Sequence, residues 1–332
     1  MKVGLLLISL LLLTLCTNLR AQEVDSWVVF DSNGEVVDNV EIPAEEEDDF
    51  FDEKLSMPGQ LAEDDDFDEN IHLANWGNFL NGAKNITGKG KGFEKAVVTL
   101  EFKLPQGYYI EMCSGAMVGP DLVLTTAHCF VEAMAYKLPL RVVAVGMPKT
   151  EGRYLMANAT KYWLPEEYTL AFEENGYMEE FHEEGAAQYD YGFIRLDKNI
   201  GEQTGYFGVT AASPKKHAPG TMIHVLGHQG NEKDNTLWKV PGTITKYYKA
   251  FLGHNAYIER KMCGGPTITR NNPSQIIGIM LASQVSSSIS DVLSPYSISL
   301  KITPSIVRMV LNLRKTSAPQ QPAKKKKKNR SI

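Results

Sequence analysis

Short apolar runs broken by Gly, Pro and polar turns fill the middle of the chain. Ala96-Val97-Val98-Thr99-Leu100-Glu101-Phe102 is rich in β-branched residues and stops before Pro105-Gln106-Gly107, which predicts a strand followed by a turn. Comparable runs follow at Ala116–Val118, Leu122–Leu124, Leu140–Val145, Phe193–Leu196, Met222–Leu226, Gly242–Thr245 and Gln275–Met280. Many short strands separated by turn residues predict an all-β barrel or sandwich. The acidic insertion Pro165–Gly185 has room for a short helix. One amphipathic helix is predicted to close the domain: Thr303 can cap it, Pro304 suits its first turn, and Ile306, Val307, Val310, Leu311 and Leu313 are expected on one face.

The two ends read differently. Lys2 precedes the apolar run Leu5–Leu15 and a more polar stretch to Ala21, the pattern of a signal peptide over 1–21 rather than a membrane span. Cys16 follows Leu15, which is too bulky for a lipoprotein box. No later stretch is apolar for long enough to cross a bilayer. These features predict a secreted protein.

Charge sharpens the division. Between Gln22 and Asn70 there are 19 acidic residues against a single Lys54, a net −18; the whole chain carries −6, so the remainder carries +12. Such a composition predicts disorder over 22–91, read either as a pro-segment lying against a basic domain or as a solubilising spacer. Two barrels are expected, over 92–203 and over 204–316 with its terminal helix, then a basic disordered tail over 317–332. That tail, with Lys324–Lys328 and Arg330, offers at most a weak contact with anionic surfaces. The sequons Asn85-Ile86-Thr87 and Asn158-Ala159-Thr160 are candidate glycan acceptors. No basic surface with interleaved aromatics points to nucleic acid, and nothing suggests a nucleotide, flavin or haem cofactor.

Beyond the leader the chain has three cysteines, Cys113, Cys129 and Cys263. An odd count in an oxidising compartment leaves one thiol over. The strongest motif is Leu124-Thr125-Thr126-Ala127-His128-Cys129, which presents His128 as a general base at the end of a strand. Cys113 stands sixteen residues before Cys129, and the two can form a bridge behind the histidine. The spacing of His224 and His228 lacks an intervening Glu and falls on a strand, so no metal site is expected.

The histidine motif closely resembles that of the trypsin-like peptidase superfamily. Two further motifs, Tyr189-Asp190-Tyr191-Gly192-Phe193-Ile194 and Lys261-Met262-Cys263-Gly264-Gly265-Pro266, resemble that family's aspartate and nucleophile motifs in the same order. The resemblance implies two packed antiparallel chymotrypsin-like β-barrels with the active site between them, and a protein or peptide substrate. It places His128, Asp190 and Cys263 at the catalytic positions, with Cys263 where the family has serine. Asp197 is the rival acid, but it follows its strand and reads as an exposed turn residue. A cysteine is competent at that position, because a thiol ionising near about 8.5 in isolation does so more readily beside a histidinium. Val225-Leu226-Gly227-His228 further resembles the opening of the second barrel in glutamyl endopeptidases.

Departures from the family pattern are equally informative. Lys261 replaces the glycine whose N–H joins that of Cys263 in the oxyanion hole, and a side chain there works against the backbone conformation that aims this N–H; one lost donor costs about 3 kcal/mol of transition-state stabilisation. Met262 replaces the aspartate that pairs with a new N-terminus in trypsin-like zymogens, which argues against activation by N-terminal insertion. Met280, where glutamyl endopeptidases have histidine, with Leu281, Ala282 and Ser283, is expected to line an apolar first pocket. The reading is an endopeptidase with a His-Asp-Cys triad; the alternative is a non-catalytic homologue that binds proteins through the old cleft.

Overall fold

A computed structural model describes residues 24–43, 82–175, 186–228, 236–258, 261–283 and 297–316. The expected leader and basic tail, and the acidic run Glu45–Asp49, lie outside them. The strands in chain order are β1 Val24–Asp31, β2 Val36–Pro43, β3 Lys84–Asn85, β4 Val97–Lys103, β5 Tyr109–Met117, β6 Leu122–Thr125, β7 Leu140–Val143, β8 Met156–Pro165, β9 Gly192–Leu196, β10 Gly208–Val209, β11 Met222–His228, β12 Leu237–Tyr247, β13 Phe251–His254, β14 Pro266–Thr269, β15 Gln275–Ser283 and β16 Ser297–Lys301. The helices are α1 His128–Ala135, α2 Glu166–Asn175, α3 Gly201–Thr204 and α4 Pro304–Lys315.

Strands in the order β8-β7-β4-β5-β6-β9 form one antiparallel sheet that closes through β8 and β9. The order β15-β14-β11-β12-β13-β16 forms a second, closed through β15 and β16. Closure removes exposed edges, which is how strands this short become stable. The architecture is therefore the expected all-β pair of packed barrels with a C-terminal helix. Several strands that the sequence pattern passed over, such as β8 with its Asn158, Thr160 and Lys161, are held by pairing on both edges rather than by their own alternation.

The structure departs from the expected disorder of 22–91. β1 and β2 form a hairpin, and β1 pairs with β8 from Trp27↔Pro165 to Asp31↔Lys161, continuing the edge along which β7 meets Arg141↔Asn158. The reason is apolar content hidden within an acidic stretch: Trp27, Val29, Phe30 and Ile42 are all buried. Gly34 turns the hairpin at φ 76°, a conformation that suits glycine. The connector is also tied down, because β3 pairs with Trp238 and Lys239 of β12.

Helix α4 is capped as expected, with the Thr303 hydroxyl accepting from Ile306 N at 3.3 Å. Its buried face is Ile306, Met309, Val310 and Leu313, an i, i+3, i+4, i+7 set; Leu311, expected inside, is half-exposed. Arg195 in β9 fastens this helix to the first barrel, pairing with Asp121 at 2.7 Å and donating to Leu313 O at 2.8 Å. Removing one partner of such a buried pair leaves the other charge uncompensated. Arg195→Leu should therefore lower the unfolding free energy by about 3 kcal/mol in urea titrations, with Asp121→Asn plus Arg195→Leu recovering part of the loss.

Candidate active site

Three elements converge between the barrels. Strand β6 ends at Thr125, and His128 begins α1. A short 3-10 turn, Ala186–Tyr189, delivers Asp190 just before β9. The loop from Lys261 to Gly265 precedes β14 and carries Cys263.

Asp190 holds His128 twice. Its Oδ1 accepts from the His128 main-chain N at 2.9 Å, and its Oδ2 lies 2.6 Å from Nδ1. Both residues are largely buried. Burial alone would depress the imidazolium, but the charge and hydrogen bond of Asp190, and then contact with Cys263, raise its pKa well above the ordinary histidine value. The Cys263 thiol lies beside the His128 side chain, close enough to contribute to that upward shift. With Nδ1 taken by Asp190, that contact falls to Nε2. Asp197, the rival acid, is exposed and instead accepts from Asn158 N and Nδ2, each at 2.9 Å, so it serves a turn.

Cys113 and Cys129 are joined, with Cα atoms 5.8 Å apart, and Cys263 is free and half-buried. The sulfurs of Cys113 and Cys129 lie close to the His128 ring, but a disulfide has no thiolate to offer a metal.

A residue that the sequence did not single out fixes the thiol loop. Ser114, fully buried in β5, donates its N–H to Cys263 O at 2.8 Å and its hydroxyl to Lys261 O at 2.8 Å. The same hydroxyl accepts from His228 N at 2.7 Å, and Ser114 O accepts from the Thr125 hydroxyl at 2.8 Å. Partners 147 residues away leave no trace in local sequence. Gly264, at φ 80°, lies so close beneath this clasp that a Cβ would come within 2.1 Å of Thr125 Oγ1 and 2.2 Å of Ser114 O. At Gly265 a Cβ would meet Leu226 O at 2.1 Å. Both glycines are demanded by space.

Lys261 adopts φ 73°, the left-handed conformation that a glycine takes without strain. The backbone thus accepts the lysine instead of refusing it. Its ammonium lies 3.9 Å from Glu111 Oε2, which also pairs closely with His228 Nε2. Among the described residues, neither the Lys261 nor the Cys263 N–H donates to a main-chain acceptor. Met262 is fully buried in the apolar cluster of the second barrel with Val225, Ile258 and Met280, so burial anchors this loop where an ion pair would otherwise do so.

Met280 and Leu281 are buried on β15, while Ala282 and Ser283 continue that strand opposite Ile298 and Ser297. Behind Met280 runs an uncharged polar chain: Thr267 to Ser299 at 2.6 Å, and Ser299 to His254 Nε2 at 2.9 Å. Burial pushes His254 down to about 3, so it is neutral near pH 7.

Two closed barrels with a His–Asp pair between them define the class of chymotrypsin-fold peptidases. Residues 113–279 match the trypsin-like peptidase domain, and the chain belongs to that family. It is 28% identical over 151 residues to a glutamyl endopeptidase of Bacillus licheniformis, covering 45% of this chain and 43% of the relative. To serine protease 23 of Homo sapiens it is 24% identical over 136 residues, 38% of this chain and 35% of that protein. The match thus spans less than half the length of either relative. Among solved structures, a Glu endopeptidase in complex with MPD has a TM-score of 0.54 at 19% identity, over 70% of this chain and 96% of that one, a likeness of fold.

A lysine held left-handed stores about 1–2 kcal/mol of strain. Lys261→Gly should therefore leave stability unchanged or raise it by up to about 1 kcal/mol. Lys261→Val, β-branched at positive φ, should lower it by more than about 1 kcal/mol; chemical denaturation of the two variants beside the parent checks both signs.

Proposed function

We propose that this protein is a secreted endopeptidase in which His128, Asp190 and Cys263 act as base, orienting acid and nucleophile, with the leader over residues 1–21 directing it outward. What supports this reading is one imidazole that bonds Asp190 through Nδ1 and has an unpaired thiol beside it.

The chemistry then follows in balanced steps. Cys263 gives its proton to His128 Nε2, and the sulfur attacks the scissile carbonyl carbon. The carbonyl oxygen becomes an oxyanion facing the N–H groups of Lys261 and Cys263. As the tetrahedral centre collapses, the C–N bond breaks and the imidazolium protonates the departing amine. Water, deprotonated by His128, then attacks the thioester and releases the acid with the thiol restored. Asp190 stabilises the imidazolium throughout, in keeping with its charge-assisted 2.6 Å contact.

In the first pocket proposed here, Met280 with Thr267, Ser299 and neutral His254 behind it brings no positive charge, among the described residues, to a substrate carboxylate. An uncompensated buried carboxylate is costly. The bacterial relative is named for glutamyl bonds; for this chain an apolar residue before the cleaved bond is favoured.

Iodoacetamide alkylation of Cys263, followed by intact mass against pH, checks the pair. Fast labelling should persist down to about pH 6 and collapse in His128→Ala, as for a thiolate held beside a histidinium. An ordinary thiol profile in both proteins would favour the non-catalytic, protein-binding reading. With a peptide library, cleavage after Leu, Met or Phe should exceed cleavage after Glu by at least about tenfold; a preference for Glu would overturn the pocket assignment.

A further inference from the structure

The N-terminal hairpin touches the segments that carry both halves of the His–Asp pair. At one end its turn seats on the last turn of α1, the helix that begins with His128. A Cβ on Gly34 would lie 2.5 Å from Met134 O, and Glu35 pairs with Lys137 just beyond the helix. At the other end Trp27 is 2% exposed, with its ring edge-on to Tyr191 at 5.5 Å and tilted against Phe193 at 5.5 Å. Tyr191 immediately follows Asp190. Between these ends, β1 pairs with β8 at Phe30↔Tyr162, and the Tyr162 ring stacks on Phe130, two residues beyond His128, at 5.5 Å.

We infer that the β1–β2 hairpin is a brace for the candidate active site, and that Trp27 is a positioning residue for Asp190, acting through the Tyr191 ring. Asp190 has no helix or strand of its own. Its peptide follows a single 3-10 turn, held by Asp190 N to Ala187 O at 3.2 Å and Tyr191 N to Tyr189 O at 2.7 Å. Such a segment takes its position from the side chains beside it, and Trp27 supplies a rigid, fully desolvated aromatic surface. A displacement of a few tenths of an ångström matters, because Asp190 must meet two atoms of His128 at once, at 2.9 Å and 2.6 Å. Residues 24–43 belong on this view to the working enzyme. Strand pairing and ring contacts would keep them bound after any cut in the acidic stretch between 44 and 81.

This inference rests on the His–Asp pairing of the proposed function but not on Cys263 being a nucleophile. The test is the NMR titration of the His128 ring in the full chain, with Asp190 and Cys263 as the titratable groups facing it. Trp27→Ala should lower the midpoint by about one pH unit, and Trp27→Phe should restore most of that loss. Leu313→Ala, a core truncation on α4, should cost stability without moving the midpoint. Trp27→Leu keeps the site filled without a ring, and should shift the midpoint down if Trp27→Ala does not fold. An unchanged midpoint in Trp27→Ala, or in Trp27→Leu where Trp27→Ala does not fold, with native near-ultraviolet dichroism, would overturn the brace. A lowered midpoint together with an ordinary Cys263 labelling profile would keep the brace and reject the nucleophile.

Discussion

The candidate site depends on one buried hydroxyl group. Ser114 belongs to the first barrel, yet its N–H and hydroxyl hold the carbonyls of Cys263 and Lys261, which belong to a loop of the second. Left to itself, that loop would not keep its shape, because it carries positive φ at both Lys261 and Gly264. Such conformations persist where surrounding contacts over-determine them. The clasp supplies that over-determination, with Thr125 and His228 bonded to the same serine. The barrels are thereby registered to each other at the point where His128 and Cys263 must meet.

A second tie runs through sulfur. Cys113 is the neighbour of Ser114, and Cys129 is the neighbour of His128, so their disulfide couples the residue that clasps the thiol loop to the helix that carries the imidazole. A bridge closing this loop restricts the unfolded chain by about 3 kcal/mol in the chain-entropy account. Its local effect is more specific: it limits the relative motion of strand β5 and helix α1, and with it the separation of the Cys263 thiol from the His128 ring. Asp190 completes the arrangement by bonding both the main chain and the ring of His128, which fixes the helix start and the imidazole plane together.

What could be read from the sequence follows the range of the interactions. His128, Asp190 and Cys263 stand in motifs whose neighbours are local, and short apolar runs bounded by turn residues announced β4, β6, β9, β11 and β15 well enough to imply barrels. Trp27 was concealed because net charge, averaged over a long acidic stretch, outweighed a four-residue apolar run, although Asn33-Gly34 between β-branched segments is a hairpin signal. Ser114 and Glu111 had no local signal at all, since their partners arrive only when the barrels pack. Lys261 was read as a side chain that works against the loop conformation. The fold holds it left-handed all the same, because the strain of one such lysine is small beside the contacts that impose it.

The substitution of Met262 for an acidic residue shows how the loop can be assembled without a zymogen-style ion pair. A buried carboxylate needs a cation to arrive, and until it does the loop has a reason to stay out of the core. A buried methionine has no such requirement: Val225, Ile258 and Met280 receive it as soon as the second barrel closes, and Gly227 leaves space for it. Burying a side chain of this size is worth roughly 1.5–3 kcal/mol, enough to hold a five-residue turn against its own backbone strain. Formation of the thiol loop is then coupled to folding of the barrel and not to cleavage of the chain. Any control exerted by the acidic stretch must accordingly act on access to the cleft, because the residues that shape the loop are already in their places.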